Sequence, residues 1–145
     1  MDYKEILAPC GLNCKKCLSY KNGEIKNTAV QLQKLLGSFD FYAKRFSAIQ
    51  PVFNKYPEFK EFLEFLINAQ CEGCRSGGCV NSECKVHHCH KEQNVDFCAE
   101  CSLFPCDKTG FPQPLQEKWL KVNSRIKEIG VEKYYEEVKE LPRYS

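Results

Sequence analysis

The residues of this sequence that could do chemistry are above all its eleven cysteines, which fall into two separate stretches. Three lie within residues 10–17 and eight within residues 71–106, and the rest of the chain has none. An odd number of cysteines cannot be consumed by disulfides alone. Thiolates are preferred ligands of zinc and of iron–sulfur clusters, so the density of cysteine indicates metal binding.

The first stretch has the sequence Cys10-Gly-Leu-Asn-Cys14-Lys-Lys-Cys17. Two or three residues between cysteines allow a turn to point two thiolates at one ion. Asn13 is placed to cap a short helix that carries Cys14 and Cys17 on one side, and the positive end of such a helix favours the thiolate. The spacing also matches the cluster motif of radical S-adenosylmethionine enzymes, but this chain lacks the length and the strand–helix alternation of their barrels.

The second stretch contains two Cys-x-x-Cys pairs, Cys71–Cys74 and Cys98–Cys101, which resemble the two halves of a four-thiolate zinc site. An iron–sulfur cluster is the alternative. A bacterial ferredoxin run ends in Cys-Pro, whereas here Pro105 precedes the last cysteine and the intervals differ. We therefore predict that zinc is the metal. The other predicted ligands of this stretch are Cys79, Cys84, Cys89 and Cys106.

The three histidines of the chain, His87, His88 and His90, flank Cys89. Imidazole suits zinc, and we predict that His87 is a ligand. Eleven thiols and one imidazole make twelve donors, enough for three four-coordinate sites, and two sites with several free cysteines fit equally well. One division of the donors is Cys71, Cys74, Cys98 and Cys101; Cys10, Cys14, Cys17 and Cys106; and Cys79, Cys84 and Cys89 with a histidine.

The charge of the chain does not indicate a nucleic-acid partner. The formal net charge is +2 at pH 7. One zinc ion with four thiolates carries about −2, so bound metal would bring the net charge to around zero or below. The basic residues near the cysteines then mainly offset thiolate charge. Nucleic acid is not expected as a partner, because neither a basic stripe nor the spacing of a two-cysteine, two-histidine finger is present.

The segments without cysteine have apolar residues at helical spacing. By contrast, residues 70–112 are rich in glycine and proline and have no helical or strand period, so we expect them to be irregular and held by metal. The predicted fold class is mainly α, a helical domain with an irregular, cysteine-rich zinc-knuckle segment. The predicted helices cover residues 24–37, 39–53, 57–69, 114–129 and 131–141.

A chain of 145 residues fits a single domain, 1–145. Its metal-binding parts are residues 10–17 and 71–106, and its helical parts are residues 24–69 and 114–141. The first residues contain no basic region followed by a long apolar run, so we expect neither a signal peptide nor a membrane span. We expect a cytoplasmic location, where thiols stay reduced.

The order of the cysteine motifs resembles a known family. Ala-Pro-Cys10-Gly-Leu-Asn-Cys14 is followed by Cys71-Glu-Gly-Cys74-Arg, by Cys84-Lys-Val-His-His-Cys89, by Phe-Cys98-Ala-Glu-Cys101 and by Leu-Phe-Pro-Cys106. Over about residues 6–112, this order and spacing resemble the small prokaryotic cysteine-rich proteins grouped as domain of unknown function 3795. The resemblance implies zinc binding and implies no reaction.

Two kinds of function fit these observations. The one we favour is a structural metal module whose helices present a surface to a protein partner. The alternative is a metal-dependent enzyme or redox protein with an open zinc or iron–sulfur site at residues 10–17, because this cluster has only three local cysteines and a catalytic zinc keeps one position open. We find no acid–base partner for such a site. The sequence identifies no catalytic residue, substrate, partner or oligomeric state.

Overall fold

The computed structural model describes residues 1–77 and 79–145. Within these residues there are six α-helices and no β-strand, which confirms the prediction of a mainly α fold. The α-helices are α1 (Glu24–Leu36), α2 (Phe39–Phe46), α3 (Tyr56–Ile67), α4 (Val86–Glu92), α5 (Gln113–Ile129) and α6 (Val131–Val138). Short 3-10 turns cover Tyr3–Glu5, Cys14–Lys16, Pro51–Lys55 and Cys98–Glu100.

The predicted helix over residues 39–53 is longer than the helix that forms. Helix α2 ends at Phe46, and a 3-10 turn begins at Pro51. Proline lacks the N–H that a continuing helix needs, and it disfavours helical backbone in the residue before it. Gln50 accordingly has an extended conformation, with φ −130° and ψ 112°. The other four predicted helices agree with α1, α3, α5 and α6 to within a few residues at each end.

The prediction that residues 70–112 are irregular throughout is wrong, because this segment contains α4. The helix has seven residues, of which only Val86 is buried. Its remaining positions are mostly histidine, cysteine and charged residues, so no apolar period could reveal it. The predicted helix after Asn13 is a 3-10 turn of three residues instead, and the Asn13 side chain makes no capping hydrogen bond.

Helix α5 contacts most of the elements that position the cysteines. It packs against α6 and against the turn Cys98–Glu100. Trp119 and Ile126 of α5 are buried in two adjoining core clusters. The first cluster contains Ile6, Leu7, Phe97, Ala99, Ile126 and Tyr134, and the second contains Ala8, Cys10, Cys14, Val86 and Trp119.

Helices α1, α2 and α3 form the helical part between the two cysteine stretches, in which α1 packs against α3. Its core is aromatic, with the ring of Phe39 lying 5.1 Å from that of Tyr56 and 6.0 Å from that of Phe53. Other apolar side chains of this part are exposed, among them Phe41, Phe59, Phe62 and Phe65. No helix in the described part of the chain is both long and apolar enough to cross a membrane.

Candidate metal centres

The four cysteines of the second half of the cysteine-rich segment surround one small cavity of about 30 Å³. Cys89 lies on α4. Cys98 begins the turn Cys98–Glu100, Cys101 follows that turn, and Cys106 follows Pro105. Hydrogen bonds from the Cys98 amide to the Pro9 carbonyl (2.8 Å) and from the Cys101 amide to the Cys98 carbonyl (3.1 Å) hold this backbone in place. We call this cavity the thiol pocket; it is lined by Cys89, Cys98, Cys101 and Cys106, and also by Val86, His90, Phe104 and Trp119.

The surface of the thiol pocket is largely apolar, although Gln93, Lys108 and Thr109 line it together with the cysteines and His90. Burial raises the pKa of Cys98 to about 11, against a lowering influence of the nearby Trp119 indole N–H. That N–H is buried and makes no regular hydrogen bond. Burial also raises the pKa of Cys89, as do the neighbouring thiols of Cys106 and Cys101. The thiols of Cys89 and Cys98 therefore need a cation to become thiolates at neutral pH.

His90 is the histidine that faces the thiol pocket. Its Nδ1 lies 3.2 Å from the carbonyl oxygen of Val95, and its Nε2 is buried with no hydrogen-bond partner. Burial lowers the pKa of His90, so the ring is neutral at pH 7. The sequence predicts His87 as the ligand, because three closely spaced histidines give no periodic signal that distinguishes the one that lines this pocket.

A second group of thiols forms where the two cysteine stretches meet. A backbone bridge joins Tyr20 to Cys71, with hydrogen bonds of 2.9 Å from the Lys21 amide to the Cys71 carbonyl and from the Cys71 amide to the Ser19 carbonyl. Beyond this bridge the Cys74 thiol lies between those of Cys14 and Cys79. We call the neighbouring cysteines the second thiol group, namely Cys10, Cys14, Cys17, Cys71, Cys74 and Cys79.

The pKa values within the second thiol group differ because the thiols share hydrogen bonds. Sharing of the single Cys74 S–H proton lowers the pKa of Cys14 and of Cys79, and it raises the pKa of Cys74 itself. Burial raises the pKa of Cys10 to about 12 and also raises that of Cys71. The group therefore contains both thiolate and thiol at neutral pH.

Backbone amides are directed at several of the sulfur atoms. The Gly73 amide donates to Cys71 Sγ and the Asn81 amide donates to Cys79 Sγ, each over 3.4 Å. Amides two residues further along the chain also donate to the sulfur atoms of Cys10 and Cys84. Such N–H···S contacts favour the thiolate, which is the form that binds metal.

The end of the described chain packs against the second thiol group. Arg143 donates to the Asn13 carbonyl over 2.9 Å, and its positive charge lowers the pKa of Cys10, Cys14 and Cys79. The hydroxyl of Tyr144 lies 3.6 Å from Cys17 Sγ. Neither residue was a sequence-based candidate, because no short motif connects the segment after residue 141 to residues 10–17.

Cys84 and His87 lie outside the thiol pocket, along a surface groove that also contains Cys89 and His88. His87 Nδ1 is buried without a partner, and its ring lies 4.0 Å from that of His88. Burial raises the pKa of Cys84. Cys84 and His87 therefore lie near Cys79 of the second thiol group and outside the cavity that His90 lines.

All eleven cysteines are free, and Cys10, Cys14 and Cys71 are buried. Within residues 1–77 and 79–145, no three His, Cys, Asp or Glu side chains are already arranged as a metal-binding group. The structure does not bring the Cys71–Cys74 pair and the Cys98–Cys101 pair together in one site. Cys98 and Cys101 face Cys89 and Cys106, whereas Cys74 contacts Cys14 and Cys79.

A family model described as "Protein of unknown function (DUF3795)" matches residues 6–111. The chain belongs to this family. The match confirms the resemblance seen in the cysteine motifs, and it spans both cysteine stretches and the three histidines. Trp119, Arg143 and Tyr144, which contact the two sets of thiols, lie after the matched residues. No curated protein and no solved structure matches the chain.

Proposed function

We propose that this DUF3795 chain binds zinc through its cysteines, and that the zinc sites are structural. The observation that carries the proposal is the thiol pocket, in which four cysteines from separate turns surround one cavity of about 30 Å³. A cavity needs at least about 10–15 Å³ of such space to hold one water molecule, so this small cavity suits a single ion. A four-iron cluster is several times larger than one ion, and the pocket therefore supports zinc over an iron–sulfur cluster.

The chemistry of the donors also supports zinc. Sulfur and imidazole are the ligands that tetrahedral zinc prefers, and a closed site of this kind contributes directly to folding. Binding would draw the thiols together and release their protons, and the charge of the ion would offset the cost of burying thiolates such as that of Cys98. The second thiol group offers a further site, in which Arg143 would offset thiolate charge.

The exposed aromatic side chains of α2 and α3 support a role as a protein-interaction module. Phe41 is 62% exposed and Phe62 is 58% exposed. Aromatic residues are enriched in the centres of protein interfaces, and clusters of exposed apolar side chains mark interaction surfaces. In this proposal the zinc sites hold the cysteine-rich segment in place while the helical part presents the surface.

An enzyme is the second candidate, and one observation favours it. Cys14 and Cys74 of the second thiol group line a cleft of about 410 Å³, together with Lys4, Lys15 and Arg75. A metal held there by three protein ligands could keep a position open to a substrate. A water or exchangeable ligand on the metal at this group would support the enzyme, whereas a closed four-sulfur site would exclude it.

The metal proposal is tested by element analysis and visible absorption of the purified full-length chain, followed by removal of the metal with a chelator. We expect zinc without iron, a colourless protein, and loss of helical circular dichroism on chelation. Cys101→Ser should lower the zinc content, and the matched Ser102→Ala variant should not. Iron with broad visible absorption, or a fold indifferent to chelation, would overturn the proposal.

A further inference from the structure

We propose that the ion in the thiol pocket is bound by Cys98, Cys101, Cys106 and His90, which leaves Cys89 as a free thiol at the edge of the pocket. The inference rests on the proposed zinc function and names the ligands of one of its sites. It replaces the expected ligand His87 with His90, and it removes one cysteine from the ligand set.

The hydrogen bond of His90 determines which ring nitrogen is available. The Val95 carbonyl can only accept, so Nδ1, at 3.2 Å from it, carries the proton. A neutral imidazole has one N–H, and Nε2 therefore presents a lone pair. This atom is buried with no donor in reach. A backbone carbonyl that orients one ring nitrogen while the other keeps a free lone pair is the arrangement seen around metal-bound histidines.

Helix geometry then separates His90 from Cys89. The two residues are consecutive on α4, and consecutive side chains of a helix point about 100° apart. Both residues line the pocket, but this angular offset disfavours their binding one and the same ion. Cys89 also lines the surface groove with His88 and Glu92, whereas His90 lines only the thiol pocket among the described cavities. The geometry therefore selects His90 as the ligand from α4.

The charge of the occupied site also favours His90 over Cys89 as the fourth ligand. Zinc with three thiolates and one imidazole carries about −1, against about −2 for four thiolates. The pocket walls are mostly apolar, with Val86, Phe104 and Trp119 among them, and among the described residues Lys108 is the single cation that lines them. Burial of the smaller charge among these side chains costs less free energy.

The test compares zinc affinity in three full-length variants, measured by competition with a chromophoric chelator. His90→Gln should weaken the binding of one zinc ion by roughly 100-fold, since it loses a ligand. Cys89→Ser should bind that ion within about twofold of the parent, since it loses none. His88→Ala is the matched control, because His88 lies on the same helix and is exposed. Circular dichroism of the zinc-loaded variants checks that each is folded.

Cobalt substitution gives a second readout that a merely structural role of His90 would not change. The difference spectrum between the parent and His90→Gln isolates this site from the second thiol group. We expect the d–d bands to change with His90→Gln and to stay constant with Cys89→Ser. In the zinc-loaded parent, iodoacetamide followed by mass spectrometry should label Cys89 and leave Cys98, Cys101 and Cys106 protected.

Loss of zinc from Cys89→Ser, or full zinc affinity in His90→Gln, would overturn the inference and indicate a four-thiolate site. Protection of Cys89 from iodoacetamide would overturn it as well. These results differ from a failure of the zinc proposal itself, in which the parent protein would contain iron or no metal.

Discussion

The side chain of Asn123, which is 0% exposed, donates a hydrogen bond of 3.0 Å to the main-chain carbonyl of Cys10. The same amide group donates to the Trp119 carbonyl over 2.9 Å. One residue of α5 therefore fixes the position of the first cysteine turn without contacting any sulfur atom. Because both acceptors are buried in the core, water cannot replace the amide.

Replacement of this amide should destabilise the fold. We expect Asn123→Ala to lower the free energy of unfolding by about 1–3 kcal/mol, because the Cys10 carbonyl loses its buried donor. Urea denaturation followed by circular dichroism measures the change. Ser124→Ala, at the exposed neighbouring position, is the control and should change stability by less than about 0.5 kcal/mol. Equal stability of the two variants would contradict this role of Asn123.

Trp119 provides an intrinsic reporter of the thiol pocket. It is the only tryptophan of the chain, it is 2% exposed, and it lines the pocket beside Phe104, with a ring distance of 5.1 Å. If an ion binds there, addition of Co²⁺ to the metal-free protein should quench the Trp119 fluorescence. The quenching should be mostly lost in Cys101→Ser and retained in Ser102→Ala. Equal quenching in both variants would place the bound ion elsewhere.

The helices with an apolar period could be predicted from sequence, and those without one could not. Helix α5 buries Trp119, Asn123 and Ile126 at spacings of four and three residues, so its period is visible in the sequence. Helix α4 is short and is positioned by the elements around it, and nothing local predicts it. The distinction between His87 and His90 is tertiary as well, since it depends on the carbonyl of Val95.

The cysteines illustrate the same limit. Their spacing identified the residues as a set, but the division of the set depends on how the backbone bridge at Tyr20 and Cys71 joins distant segments. A Cys-x-x-Cys motif indicates that its own two thiols are close to each other. It does not indicate which other cysteines complete the site. Arg143 could not be connected to residues 10–17 for the same reason, because no local pattern links them.

Gly11 allows the first cysteine turn to approach α5. Its φ is +86°, and a Cβ atom there would lie 2.4 Å from Cγ1 of Val122. We expect Gly11→Ala to destabilise the fold by about 2–4 kcal/mol, from backbone strain plus overpacking. Gly130→Ala is the control, since φ is +84° there but a Cβ atom would meet nothing within 4 Å. It should cost about 1–2 kcal/mol, the strain alone. Thermal unfolding of both variants separates the two contributions.

The charge of Arg143 should strengthen metal binding at the second thiol group. Its guanidinium lowers the pKa of Cys14 and Cys79, so it favours their thiolate forms. We expect Arg143→Gln to weaken zinc binding there by about fivefold, measured by chelator competition. Arg45→Gln, at an exposed position of α2, should have no effect. Unchanged affinity in Arg143→Gln would show that the contact is structural only.

The ion pair between α5 and α6 predicts a pH dependence of stability. Arg125 donates to Glu137 through Nε over 3.0 Å, and this hydrogen bond lowers the pKa of Glu137. A lowered carboxyl pKa contributes stability above the unfolded-state value of about 4.3, and the contribution is lost as the pH falls through the lower folded value. Glu137→Gln should therefore be less stable than the parent at pH 6, and this difference should shrink below pH 4. A constant difference from pH 6 to pH 3 would contradict the linkage.

The two sets of thiols differ in how much chain separates their members. The thiol pocket uses residues 89–106, whereas the second thiol group combines residues 10–17 with residues 71–79 across α1, α2 and α3. Closing the longer loop costs about 1 kcal/mol more chain entropy. During folding, the cysteines of the thiol pocket can approach one another within one segment, whereas the two halves of the second thiol group must be brought together across the helices between them. We therefore expect the more local set of cysteines to come together first.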